Sequence, residues 1–153
     1  MIKNCYYVSS RLMSKAKTIM FLSMLCFFAQ GYAQDRCLKI VVSNIHDIQG
    51  KIYISVFNDK KHFLDQGYEL KIVEVDVDGP EVVCEIDDLC NGEYAIALYQ
   101  DTNSDGKCGR NILGIPTEPY GFSNNIRPRF RAPTYDETKI STDYDEIRIS
   151  LIH

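Results

Sequence analysis

From Leu38 onward the chain alternates apolar and polar residues with a period of two over nearly its whole length. That period places successive side chains on opposite faces of a strand, whereas a helix needs its apolar residues three and four apart. Leu38, Ile40 and Val42 share one parity, as do Ile52, Ile54 and Val56, then Val73, Val75 and Val77, then Val82, Cys84 and Ile86. A strand over Glu93–Tyr99 and a closing one with Ile147, Ile149 and Leu151 continue the pattern. No amphipathic helix of any length interrupts it. Gln49-Gly50, Asp78-Gly79-Pro80 and Asn91-Gly92 punctuate the strands as turn residues do. Leu38–Val42 and Lys51–Phe57 are expected to form a hairpin across Gln49-Gly50, with Phe63 and Leu64 tucked under the sheet. The expected class is all-β, a single antiparallel β-sandwich of about seven strands with one long structured loop.

The first 33 residues follow another logic. Lys3, Arg11, Lys15 and Lys17 precede the apolar run Ile19–Ala29, and Gly31 and Ala33 offer small residues at the −3 and −1 positions of a cleavage site. This is the layout of a secretory leader, and the apolar run is shorter than the roughly 20 residues that span a bilayer. The expected division is therefore a leader over residues 1–33, with Met13 as an alternative start, and one domain over residues 34–153 in an exported protein. A chain of that size buries a single core. The leader holds four of the 17 basic residues and none of the 21 acidic ones, so the rest carries a net charge of −8. Such a surface repels phosphate backbones and anionic lipid, which disfavours nucleic acid and membrane insertion. Cys37, Cys84, Cys90 and Cys108 remain after cleavage. In an exported chain an even number points to disulfides, in any of three connectivities, and no zinc spacing competes.

One stretch breaks the alternation: Asp101 to Asn125, D-T-N-S-D-G-K-C-G-R-N-I-L-G-I-P-T-E-P-Y-G-F-S-N-N. Asp101, Asn103 and Asp105 stand at alternate positions before Gly106, and the Lys107 carbonyl follows, as in the first half of an EF-hand calcium loop. Position nine is Gly109 and position twelve is Ile112, so the ligand set is incomplete and Ca2+ affinity would be modest. Glu118, Asp136 and Glu137 are the candidates for further oxygens. The same residues also satisfy their own backbone as Asx-turns, without any ion. Downstream, Glu118, Tyr120, Phe122, Asn124, Asn125, Phe130 and Tyr135 bring aromatic faces and amides that a glycan or peptide site would use, or that simply pack the mouth of a sandwich. Gly-Phe-Ser123-Asn-Asn lacks the Gly-x-Ser-x-Gly of a nucleophile elbow, and no pattern sets two carboxylates across a substrate. A non-catalytic envelope or secreted module is the expected role, ahead of a hydrolase.

Taken with Leu38–Val42, the Gly50–Phe57 arm, the Leu89–Ala95 turn and Arg129-Phe130…Pro133-x-Tyr135, the strings Gly114-Ile-Pro and Tyr120-Gly-Phe-Ser-Asn-Asn125 carry a resemblance. The chain closely resembles a family of exported bacterial proteins catalogued as domain of unknown function 2141. Its Leu-x-x-Gly-x-Tyr turn is similar to that of prealbumin-like sandwich modules. The resemblance implies a sandwich of Ig-like or prealbumin-like type, and export, and brings no established activity. Two departures stand out: the family tends to have Asp where Gly109 stands, and prolines where Cys90 and Asn91 stand, which implies a local disulfide at Cys90.

Overall fold

The computed structural model describes residues 38–89, 91–112 and 114–153; the expected leader, Cys37 and Cys90 lie outside them. The described residues form one compact unit. Among the described residues eight strands, β1 (Leu38–Ser43), β2 (Lys51–Phe57), β3 (Lys71–Asp76), β4 (Val82–Ile86), β5 (Glu93–Asp101), β6 (Tyr120–Phe122), β7 (Ile140–Ser141) and β8 (Glu146–Ser150), make two sheets. One has the order β4-β1-β8; the other runs β3-β2-β5-β6, with β7 beside the start of β5. The only helical pieces among the described residues are a 3-10 turn at Ser123–Asn125 and a one-turn helix, α1 (Tyr135–Thr138). None is long and apolar enough to cross a membrane.

The parity read from the sequence decides what is buried. Leu38, Ile40 and Val42 of β1 and Val82, Cys84 and Ile86 of β4 face Ile52, Ile54 and Val56 of β2 and Ile96 and Leu98 of β5, with Ile149 and Leu151 completing one core. Val73, Val75 and Ile147 pack against it from the margins. Burying that apolar surface is the main drive to fold, and alternation ensures that both sheets offer it on one side only.

The expected hairpin between Leu38–Val42 and Lys51–Phe57 is not formed. β1 pairs with β4 and β8, while β2 pairs with β3 and β5, so residues 44–50 carry the chain from one sheet to the other. Seven residues are enough for that step, and alternation is the same whether neighbours in sequence pair or face each other across a core. The two sheets pack as the expected β-sandwich, and among the described residues one strand pair departs from the antiparallel pattern. β1 and β8 run parallel, Ile40 beside Ile147 and Val42 beside Ile149. A parallel pair requires a long connection, and here nearly the whole domain lies between its members.

Phe63 is half-buried and stands edge-on to Phe57 at 5.3 Å and to Tyr135 at 6.0 Å. α1 is held by a capping box in which the Thr134 side chain and the Glu137 carboxylate each serve the other's backbone. The Arg131 guanidinium, together with that cap, holds the Glu137 carboxyl down at about 2.

Candidate functional site

The stretch after β5 begins with a buried carboxylate. Asp101 is 2% exposed; its Oδ1 accepts the Asp105 N–H at 3.2 Å and its Oδ2 the Gly106 N–H at 2.8 Å. Asn103 Oδ1 accepts from Asp105 N at 3.0 Å, and Asp105 Oδ1 from Lys107 N at 2.8 Å. These are nested Asx-turns, and Ser104 and Gly106, at φ of 61° and 74°, supply the left-handed bends they require. The side chains expected to converge on an ion therefore each accept backbone N–H groups. Among the described residues no group of three or more His, Cys, Asp or Glu is placed to hold a metal.

Glu118 supports the other end of the segment. Its Oε1 accepts Thr102 N at 3.1 Å and its Oε2 accepts Gly109 N at 3.0 Å, tying the return strand to both sides of the Asx-turns. Between these anchors the chain makes a small finger. Thr117 N donates to Gly109 O, Arg110 and Pro116 form an antiparallel bridge, and Asn111 N and Ile115 O meet at 2.9 Å. Asn111 closes the tip, its Oδ1 accepting Ile115 N and its carbonyl accepting Gly114 N. A Cβ at Gly109 would lie 2.8 Å from Thr117 Oγ1, so any side chain there would have to displace the Thr117 hydroxyl.

At the tip Ile112 is fully exposed, at 102%, and Ile115 is 49% exposed. In the sequence Ile112 stands only as a missing ion ligand and Ile115 only as part of Gly114-Ile-Pro, with no surface role for either. The signal was present in Asn-Ile-Leu-Gly-Ile, an apolar run set inside turn residues, but turn composition hid it.

The residues expected to bind a ligand do not assemble into one surface. Phe122 and Tyr135 are buried, the latter donating its hydroxyl to the Glu93 carbonyl at 2.7 Å. Asn124 Nδ2 donates to the Glu137 and Lys139 carbonyls. Asn125 donates to the Arg148 carbonyl and accepts from Ser150 N. Phe130 is fully exposed. Tyr120 lies half-buried across from Tyr99, which stacks on Tyr53 at 5.1 Å, so three tyrosines stand side by side on the outer face of the larger sheet. Burial, with Tyr53, Asp101, Cys108 and Glu118 nearby, pushes the Tyr99 hydroxyl up to about 12. Of the remaining acids, Asp136 pairs with Lys60 and Glu137 with Arg131, away from the Asx-turns they were expected to complete. His62 sits against Asp65 and stacks on Tyr68.

Cys37 and Cys90, two of the four cysteines expected to pair, lie outside the described residues; Cys108, at the base of the finger, is a free thiol. Burial pushes its pKa up, an effect that Arg110 only partly opposes. Because the thiolate is the reactive form, Cys108 is expected to react with iodoacetamide at pH 8 about threefold or more slowly than a free cysteine peptide. Equal rates would show that the finger does not cover it.

A family model described as "Uncharacterized protein conserved in bacteria (DUF2141)" matches residues 40–150. No curated protein and no solved structure matches the chain.

Proposed function

The chain belongs to this family of uncharacterized bacterial proteins, and we propose that it works as an exported, non-catalytic binding module that meets a protein partner through Ile112 and Ile115 at the tip of the finger. One observation carries the reading. A fully exposed isoleucine, Ile112, tops a finger whose base is braced by all four carboxylate oxygens of Asp101 and Glu118. Leaving apolar surface in water is unfavourable, and a braced loop loses little further entropy when it docks, so the arrangement suits insertion into an apolar pocket. A glycan would instead need open aromatic faces and free amides. Phe122 and Tyr135 are buried, and Asn124 and Asn125 are committed to backbone groups.

The non-catalytic part of the reading rests on where the polar groups are spent. Asp101 and Glu118 serve the loop backbone, and Asp136 is ion-paired. Ser123 is completely buried, its hydroxyl among the Ile96 and Thr138 backbone atoms. Export is supported by the leader pattern in residues 1–33.

The test is a photo-crosslinking amino acid placed at Ile112 in cells that make the protein, with Tyr144, 61% exposed on a different segment, as the control. One discrete protein adduct from position 112 and none from 144 is the expected result. No adduct from 112, or the same adducts from both, would contradict it.

A second reading keeps a calcium ion at the Asx-turns. It is supported by Asp101, Asn103 and Asp105 sharing one turn and by the lone pairs that carboxylate oxygens retain after accepting one N–H each. On that reading the melting midpoint rises between chelator and millimolar Ca2+, and an unchanged midpoint rejects it.

A further inference from the structure

On the outer face of the smaller sheet a cavity of about 250 Å3 is lined by Ser43, Asn125, Arg127, Arg148, Ser150 and Ile152. The geometry points to a binding site for a tetrahedral oxyanion, a phosphate or sulfate group, held between the guanidinium groups of Arg127 and Arg148 and the hydroxyls of Ser43 and Ser150.

The site is built by the fold. Ser43 and Ser150 are register partners on the parallel β1–β8 pair, and Arg148, two residues before Ser150, shares their face. Arg127 comes from a different segment, and the Asn pair fixes where that segment lies. Asn125 clasps the free edge of β8 with both ends of its amide, at 3.0 Å to the Arg148 carbonyl and 2.8 Å from Ser150 N. Asn124 anchors the other side of the turn to the Glu137 and Lys139 carbonyls, and both residues hold left-handed φ values of 59° and 53°. The donors thus approach one cavity from three backbone segments, which suits a tetrahedral group better than a flat carboxylate.

The local charge has the right sign. Arg148 is engaged by the Glu81 carboxylate through one Nη, which leaves other N–H donors of its fork. For the Arg127 side chain no ion pair or hydrogen bond occurs among the described residues. Lys39 and Glu146, farther along the same face, neutralise each other. A net positive charge therefore lines this cavity in a domain whose overall charge is negative.

The experiment follows backbone amide chemical shifts of the exported-length protein during titration with inorganic phosphate, sulfate and glucose 6-phosphate, with chloride at matched ionic strength as the control. Saturable shifts confined to residues around Ser43, Asn125–Arg127 and Arg148–Ser150 are expected, absent with chloride. Arg127→Ala should weaken phosphate binding about tenfold, since it removes a charged donor. Glu81→Gln should tighten it about threefold by removing the competing charge. Both positions are on the surface, so folding is retained. Tighter binding of glucose 6-phosphate than of phosphate would identify a sugar ester as the source, and equal binding the free ion; both sustain the site. Shifts that are linear, equally large with chloride, or unchanged in Arg127→Ala overturn it.

Discussion

Gly50→Ala is expected to lower the stability of the domain by at least about 3 kcal/mol, as a left-handed strain and a backbone collision combine. Gly50 lies at φ +72°, where an L side chain is already strained, and a Cβ built on it falls 1.9 Å from the Asp101 carbonyl oxygen and 3.0 Å from its carbon. No rotamer relieves that contact, because the obstacle is the backbone of β5, paired with β2 through Lys51 and Asp101. Gly50 also accepts the Val77 N–H at 3.1 Å, so displacing it loosens the end of β3. The damage should reach the finger, because Asp101 is the residue pushed aside and also the one that braces residues 105 and 106. Urea unfolding should show a lower midpoint at an unchanged slope. A loss below about 1 kcal/mol would mean that this crossing between sheets is not as close as described.

Ile54→Ala should cost about 2–5 kcal/mol, the range for removing a buried branched side chain and leaving a cavity. Ile54 is completely buried, sits between Val73 and Leu98 in the register of the larger sheet, and faces the smaller sheet across the core. Val83, in the middle of β4 but of opposite parity, is 48% exposed. Its replacement by Ala should change stability by less than about 0.5 kcal/mol, as surface substitutions generally do. Similar losses from the two would deny that residue parity sorts core from surface. Unlike Gly50→Ala, Ile54→Ala should leave the finger's local amide protection intact at temperatures where the domain stays folded.

Much of this fold was legible because parity is a local property. The buried set of β1, β2 and β4, the inward Cys84, and the turns at Gly79-Pro80 and Asn91-Gly92 can be read from neighbours in the chain. Partnership between strands is not local. Leu38–Val42 and Lys51–Phe57 alternate identically whether they pair in one sheet or face each other across a core, and direction is silent too, so the parallel β1–β8 pair had no sign in the sequence.

At the site, oxygen donors were recognised, but not the groups they would serve. Asp101, Asn103 and Asp105 read equally as an ion loop or as Asx-turns, and the turns are what the backbone makes. Glu118 was marked as an outlying ligand or acid, yet both its oxygens hold the finger's base. Asn124 and Asn125 looked like amides offered to a ligand. Their left-handed backbones and carbonyl partners make them fixtures that position Arg127, which composition alone did not single out.

Amide hydrogen exchange at the finger's base tests most directly whether this protein displays a fixed protrusion. Thr102, Asp105, Gly106 and Gly109 should exchange at least about tenfold more slowly than an unstructured peptide, and Glu118→Gln should speed Thr102 and Gly109 while leaving the amide of Ile54 unchanged. Exchange at the unstructured rate in the unmodified protein would show that Asp101 and Glu118 brace nothing and that Ile112 stands on a loose loop.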